Sequence, residues 1–286
     1  MLGFRRPKHR RMREEGPTEA VLDATQGLDR WSVKEILRAI HSQDRNAVEA
    51  VGRVLDDVER AVDVLICVLG GGGRWFNVGA GTSGRMGALD AAELPPTFGL
   101  PPNRVQAIIA GGEQALARAV EGAEDNPEAS AWELRERGLS AGDAVVAISA
   151  SGRTPFVLGA IEAAHAVGAR TIAITCNPRS PLAEAAEIAL VPQVGPEVIA
   201  VSTRMKGGLA QKMLLHLLST TVLVRLGYVT GNLMANLTPS SDKLRRRAVR
   251  IVMALGPTDE ERAKSLLHAC DGDVNAAVAR ARRAGS

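Results

Sequence analysis

The chain has 286 residues and a formal net charge of +3, and 45% of its residues are hydrophobic and 23% charged. This length and composition are typical of a globular protein with one large domain and a small one, or with two modest domains. Aromatic residues make up only 3%, which argues against nucleic-acid-binding modules that stack bases on aromatic rings. We therefore expect no nucleic-acid partner.

The positive charge is concentrated at the start of the chain, where the first thirteen residues carry six basic side chains and no acid. We expect residues 1–30 to form a flexible basic arm, although such a cluster is also suited to an anionic partner. No apolar segment follows the basic cluster, and Lys212, His216 and Arg225 interrupt the longest apolar stretch. The sequence thus predicts neither a secretory signal nor a membrane span.

The cysteines and histidines do not form any pattern typical of a metal site. Three cysteines lie far apart, without a CxxC pair, and the five histidines have no ligand spacing. This usage favours neither a disulfide framework nor zinc. A reducing cytoplasm fits the cysteine usage, and we expect no metal.

Helical patterns come first in the chain. Ser32 is expected to cap a helix over residues 33–40, with Glu35 completing a capping box. A second helix is predicted over about 44–69, where apolar residues recur at three- and four-residue steps. Gly70–Gly73 should end it.

Short apolar runs then alternate with helical patterns as far as residue 191. The predicted strands are Trp75–Val78, Val105–Ile109, Ala144–Ile148, Thr171–Thr175 and Ile188–Val191. The helices between them are expected near Ser83–Ala92, Glu113–Gly122, Pro155–Val167 and Pro181–Ala186. This alternation predicts an α/β fold, a three-layer parallel sheet with helices on both faces.

The remainder of the chain reads as helical. Long helices are predicted at about Lys206–Leu226 and Ser240–Met253. Residues 243–286 are expected to form a small helical unit, beside a main domain over 31–242. In that unit Thr258 would cap a helix over Glu260–Ala269, and another helix follows over Val274–Arg283.

Two joints between a predicted strand and a predicted helix are rich in glycine and hydroxyl residues. The first runs from Gly79 to Arg85 and the second from Ser149 to Pro155. The free N–H groups and the dipole of a helix N-terminus favour an anion, and ligands of parallel sheets bind beyond the carboxyl ends of the strands. The sequence therefore predicts one phosphate held by both joints. The candidate ligands are Gly81, Thr82, Ser83, Ser149, Ser151 and Thr154.

A dinucleotide fold is the main alternative, since Gly79, Gly81 and Gly84 match G-x-G-x-x-G. Two features oppose it. The next strand does not end in an acid about twenty residues later, where that fold places one, and a Pro-Pro loop over 94–102 intervenes. The second, similar joint also favours a single phosphate over a pyrophosphate. No GK[ST] follows, so a P-loop is excluded.

The pair of joints resembles the sugar isomerase (SIS) phosphosugar-binding domain. Longer strings are similar to a narrower family, the N-acetylmuramic acid 6-phosphate etherases, to which the non-catalytic glucokinase regulatory protein is related. These strings are Gly79–Arg85, Leu89–Gly99, Ile109–Glu113, Ala119–Asp125, Val194–Val198, Ser202–Lys206 and Gly231–Met234. The resemblance extends from about Leu28 to Met253 and implies a flavodoxin-like SIS fold.

The resemblance also implies a reaction, the removal of D-lactate from the C3 ether of N-acetylmuramic acid 6-phosphate to give N-acetylglucosamine 6-phosphate. In the open-chain sugar the C3 ether lies β to the C1 aldehyde. A base can therefore take the C2 proton while an acid protonates the leaving oxygen, and water then adds at C3. Two carboxyl groups in different protonation states suffice, so we expect no cofactor.

Residue roles follow from the same resemblance. Glu93 would be the acid that protonates lactate and later activates water, and Glu124 would be the base at C2. Apolar neighbours of Glu93 would keep it protonated, and Glu113 is a third, lower-ranked candidate. Ser202 and Lys206 would help to bind the phosphosugar. The family's pattern further implies a cytoplasmic homodimer with a shared active site, acting in the recycling of cell-wall amino sugars.

Two other functions remain open at this point: a phosphosugar-sensing regulator without catalysis, and an aldose–ketose isomerase. The chain also departs from the family pattern at a few positions near the expected pocket. These are Leu94, Ala200, Val201, Leu209 and Ser241. Most notably, Ala200-Val201 stands where the family usually has Thr-Gly.

Overall fold

The structure is a computed structural model that describes residues 16–237 and 242–284. At its centre is a five-stranded sheet with strand order β2-β1-β3-β4-β5, in which all neighbours are parallel. The strands are β1 Trp75–Gly79, β2 Val105–Ile109, β3 Ala144–Ile148, β4 Arg170–Ile174 and β5 Ile188–Leu190. This is the flavodoxin-like order, and the predicted strands agree with it to within one residue at each end.

Eleven α-helices surround and follow the sheet in the described residues. They are α1 Val33–Gly52, α2 Leu55–Gly70, α3 Gly81–Phe98, α4 Gln114–Ala117, α5 Pro127–Glu136, α6 Pro155–Val167, α7 Pro181–Ala185, α8 Lys206–Arg225, α9 Asp242–Leu255, α10 Glu260–His268 and α11 Val274–Ala284. The capping box predicted at Ser32 and Glu35 is present at the start of α1.

Alternate side chains of the strands pack into two separate hydrophobic cores, one on each face of the sheet. Val146 and Ile148 of β3 pack with α1, α2, α3 and α8 on one face, whereas Val145 and Ala147 pack with α5 and α6 on the other. Since successive side chains of a strand point to opposite faces, a fully buried strand needs helices on both sides. The predicted three-layer arrangement is thereby confirmed.

Two helices run further than predicted. The first continues through residues 41–44 and ends at Gly52, because no glycine or proline interrupts it earlier. The single helix predicted over about 44–69 is therefore wrong, since its second part is the separate helix α2. The other, α3, continues through Pro95 and Pro96 to Phe98. Both prolines lie in its last turn, where each lacks the N–H that would donate to the carbonyl four residues earlier, and Gly99 with φ of +68° ends the helix.

The segment after β2 differs more strongly from the prediction. The helix expected over Glu113–Gly122 is reduced to the single turn α4 and is followed by a 3₁₀ turn, Ala123–Asp125. Helix α5 was not predicted. The available signal was Asn126-Pro127, in which the Asn126 side chain accepts hydrogen bonds from two backbone N–H groups and proline occupies the first helical position.

Part of the predicted N-terminal arm contacts the main domain. Residues 16–30 form three short 3₁₀ turns, Pro17–Glu19, Asp23–Thr25 and Leu28–Arg30. The buried Thr25 hydroxyl donates to the Val198 carbonyl at 3.0 Å. The six basic side chains of the first thirteen residues lie outside the described residues.

The C-terminal helices α9, α10 and α11 pack around Ala248, Val252 and Ala277, in a cluster that also includes Ala235 and Leu237 of the preceding segment. Their contacts with the rest of the chain include a hydrogen bond between Asn275 and Asn236. The cap of α10 is Asp259, whose carboxylate accepts from the Arg262 N–H at 2.8 Å, so the predicted cap at Thr258 is wrong by one residue. The predicted first residue of α9, Ser240, and the departure at Ser241 lie outside the described residues.

Val201 carries backbone strain. Its φ is +69° and its side chain is about half exposed, and the left-handed region costs an L-residue roughly 1–2 kcal/mol. Replacing Val201 by glycine should therefore raise the free energy of unfolding by about 1 kcal/mol, after the entropic cost of glycine is subtracted. Urea denaturation would measure this change. Ala200→Gly is the control and should lower stability; a loss of stability in Val201→Gly would contradict the strain.

Candidate functional site

The two glycine- and hydroxyl-rich joints lie side by side at the carboxyl edge of the sheet. Their strands β1 and β3 are neighbours, and Gly79 is paired in register with Ile148. In the first joint, a Cβ on Gly84 would lie 2.7 Å from the Gly79 carbonyl oxygen, so only glycine lets α3 start this close to its strand. Ser83 is thereby held in the first turn of α3.

The second joint contains a compact group of hydroxyls. The buried Ser149 Oγ lies 2.8 Å from Thr154 Oγ1 and 3.4 Å from Ser151 Oγ, and it accepts the Gly152 N–H at 3.1 Å. Thr154 is the N-cap residue of α6, and Pro155 occupies the first helical position. Three hydroxyls therefore cluster at the positive end of a thirteen-residue helix.

The first turns of α8 pack against both joints. A Cβ on Gly207 would lie 3.5 Å from Ala150 Cβ, and one on Gly208 would lie 3.3 Å from Thr82 Cγ2. One turn later, Gln211 Oε1 accepts a hydrogen bond from Ser83 Oγ at 3.1 Å. Three chain segments thus converge on one place, and all the hydroxyl residues predicted in the two joints belong to it.

The backbone at the start of α8 already has an anionic partner. The buried Glu197 carboxylate accepts the N–H groups of Lys206 at 3.0 Å and Gly207 at 2.8 Å. Burial raises the pKa of Glu197, and these two hydrogen bonds oppose that rise. The first N–H groups of α8 are consequently satisfied within the protein.

The environment of Lys206 differs from the one predicted, in which this side chain helps to bind the phosphosugar. Its side chain is 1% exposed, its Nζ donates to Gln43 Oε1 of α1 at 2.8 Å, and burial lowers its pKa. The ammonium therefore ties α8 to α1 in this chain. Ser202, the other candidate in this segment, is half-buried in the turn before α8 and accepts the Met205 N–H at 3.3 Å.

Glu93 and Glu124 are both exposed but occupy different places. Glu124 belongs to the 3₁₀ turn after β2, which packs against α6 and so lies on the side of the second joint. Glu93 follows Ser83 by ten residues on α3, which corresponds to about 15 Å along the helix axis. Glu93 is thus not beside the first joint of its own chain, and Leu94 and Phe98 point into the core rather than around its carboxyl.

Three polar residues of this region were not among the sequence candidates: Glu197, Gln211 and Gln43. Glu197 and Gln211 lie in or next to the family-like strings, but a string does not reveal which side chains become buried. In residues 16–237 and 242–284, no group of three or more His, Cys, Asp or Glu side chains is arranged to hold a metal ion. No helix of the described segments is long and apolar enough to span a membrane.

Two family models match this chain. The glucokinase regulatory protein N-terminal SIS domain matches residues 48–165, and the SIS domain matches residues 128–221. Among solved structures, a phosphoheptose isomerase from Neisseria gonorrhoeae has a TM-score of 0.52 at 19% identity, covering 67% of this chain and 98% of its own. This similarity establishes the fold.

Two other proteins have a much higher sequence identity to this chain than that solved structure has. The chain is 49% identical to an N-acetylmuramic acid 6-phosphate etherase of Symbiobacterium thermophilum, over 91% of this chain and 87% of the relative. It is 47% identical to one of Pectobacterium atrosepticum, over 89% of this chain and 84% of the relative. Both alignments span nearly the whole of each protein, so the chain belongs to the N-acetylmuramic acid 6-phosphate etherase family.

Proposed function

We propose that the protein is a carbon–oxygen lyase that converts N-acetylmuramic acid 6-phosphate and water into N-acetylglucosamine 6-phosphate and D-lactate. The observation that carries this proposal is the convergence of two hydroxyl-bearing joints at the carboxyl edge of the sheet, in a chain nearly half identical to such etherases. The physiological role is the recycling of cell-wall amino sugars in the cytoplasm.

The phosphate binds between the two joints. Ser83 and Thr82 donate from the first joint, and Ser149, Ser151 and Thr154 donate from the second, where the Ser149 hydroxyl already lies within 3.4 Å of the other two. Gly81 leaves the backbone accessible at the start of α3, and Ser202 lies on the third side, before α8. The positive ends of α3 and α6 add to the attraction for a dianion.

The reaction uses two carboxyl groups. Glu124, as carboxylate, takes the C2 proton of the open-chain sugar, and the electron pair moves onto the C1 aldehyde to give an enolate. In a separate step this pair forms the C2–C3 double bond as the C3–O bond breaks. Glu93, as carboxylic acid, gives its proton to the departing lactate oxygen. Glu93 then takes a proton from water as water adds to C3, and C2 regains a proton from Glu124.

The separation of Ser83 and Glu93 along α3 favours a site shared between two copies of the chain. Ser83 and Glu93 are roughly 15 Å apart along the helix axis of one chain, farther apart than the phosphate and the C3 ether of one sugar. The proposed enzyme is therefore a homodimer, in which the partner's Glu93 completes the site formed by the two joints and Glu124. This arrangement also covers Glu93, which is exposed in the single chain.

The direct test is to incubate the protein with N-acetylmuramic acid 6-phosphate and to assay free D-lactate, with carbon NMR of the sugar product. Release of lactate in step with N-acetylglucosamine 6-phosphate is expected. Binding without lactate would instead favour a phosphosugar sensor, which the match of residues 48–165 to the glucokinase regulatory protein domain makes the second candidate. A ketose product would indicate an isomerase.

A further inference from the structure

Gln211 has an unusual environment beside the first joint. Its side chain is 1% exposed, and its Oε1 accepts from Ser83 Oγ at 3.1 Å. Its Nε2 is buried and has no hydrogen-bond partner among the described residues. A buried N–H group without an acceptor is unfavourable, so the position of this amide on α8 beside the first joint requires an explanation.

The orientation of this amide conflicts with phosphate binding. A phosphate dianion has only acceptor oxygens, so Ser83 must give its single O–H proton to the phosphate in order to bind it. Ser83 then no longer donates to Gln211. If the amide stayed as it is, both of its polar groups would be without partners when the ligand is bound.

A half-turn of the amide resolves the conflict. The oxygen and nitrogen of a carboxamide are nearly equal in size, and after the turn Nε2–H donates to Ser83 Oγ while Ser83 O–H donates to the phosphate. A chain of donors in one direction polarises its members and strengthens the last bond. One polar atom of the amide lacks a partner in each state. Without a phosphate it is Nε2, and with a phosphate bound it is Oε1.

We propose that Gln211 is a positioning residue that reverses its amide when phosphate binds and so fixes the direction of the Ser83 hydroxyl. This inference rests on the proposed function only in that the first joint must hold a phosphate. The second buried atom without a partner in the described residues, Asp90 Oδ2, lies seven residues further along α3 and thus about 10 Å from Ser83. It takes no part in the contact.

The test replaces Gln211 by methionine, which keeps the length and removes both polar groups. Affinity for N-acetylglucosamine 6-phosphate, measured by calorimetry, should fall about tenfold, and KM for the etherase substrate should rise by a similar factor with kcat little changed. The melting temperature should hold or rise, because the unpaired amide is gone. Gln106→Met, at a half-buried glutamine of β2 whose Nε2 donates to Asn103, is the matched control and should change neither affinity nor KM.

A double-mutant cycle with Ser83→Ala tests whether Gln211 changes phosphate affinity through Ser83. If Gln211 acts through Ser83, Gln211→Met should have almost no further effect on affinity in the Ser83→Ala background. Equal effects in both backgrounds, unchanged affinity in Gln211→Met, or a fall in affinity only in step with a fall in melting temperature would overturn the proposal. Loss of binding and of lactate release in the wild-type protein would instead overturn the proposed function.

Discussion

Replacing Glu124 by glutamine is expected to abolish exchange of the substrate's C2 proton with solvent and to lower lactate release by about 10²–10⁴-fold, because the amide cannot act as the base. Glu93→Gln should lower lactate release by a similar factor while sparing the exchange, since proton removal at C2 does not need the acid. Deuterium incorporation in D₂O, followed by NMR alongside a lactate assay, measures both steps.

Mixing the two inactive variants tests where each glutamate acts. If the partner supplies Glu93, unfolding and refolding an equal mixture should restore about one quarter of the wild-type turnover, because half of the dimers are mixed and each has one intact site. No recovery would place both glutamates on one chain. Glu121→Gln, an exposed carboxylate in the same acidic segment, is the control and should keep near-normal turnover.

Replacing Glu197 by alanine should lower the free energy of unfolding by about 3 kcal/mol. The change leaves two buried N–H groups at the start of α8 without an acceptor and removes the nearby negative charge from the buried Lys206. Urea denaturation followed by circular dichroism measures the loss.

Glu187→Ala is a suitable comparison for this prediction, because Glu187 pairs with Arg170 at a partly exposed position. Exposed ion pairs contribute at most about 1 kcal/mol. Were both variants to lose the same amount of stability, the buried carboxylate would have no special part in holding α8.

The sheet could be predicted from the sequence because each strand is a short apolar run between clear turn or cap residues. Strand β3, for example, is buried along its whole length and is followed by a hydroxyl-rich joint and Pro155. The predicted end of a helix is wrong where proline is interpreted as a sign of a loop. The Pro-Pro pair at 95–96 predicts a loop, because proline disfavours a helix interior, yet α3 continues through both prolines to Phe98.

The site could be predicted only in part. Both hydroxyl joints could be located, because their glycine and hydroxyl residues, with Pro155 in the second, mark a turn between a strand and a helix. The surroundings of Lys206 depend on Gln43 and Glu197, which are 163 and 9 positions away in sequence. Such pairings arise only when α1 and α8 pack, so a lysine that suits a phosphate by its charge is instead buried in a structural contact.

The first turns of α8 contact α1 through Lys206, the second joint through Gly207 and the first joint through Gly208 and Gln211. A ligand that tightens both joints therefore also restrains a helix that begins more than 170 positions earlier in the chain. Occupancy should then be visible as slower amide hydrogen exchange in the middle of α1, far from any group that touches the sugar.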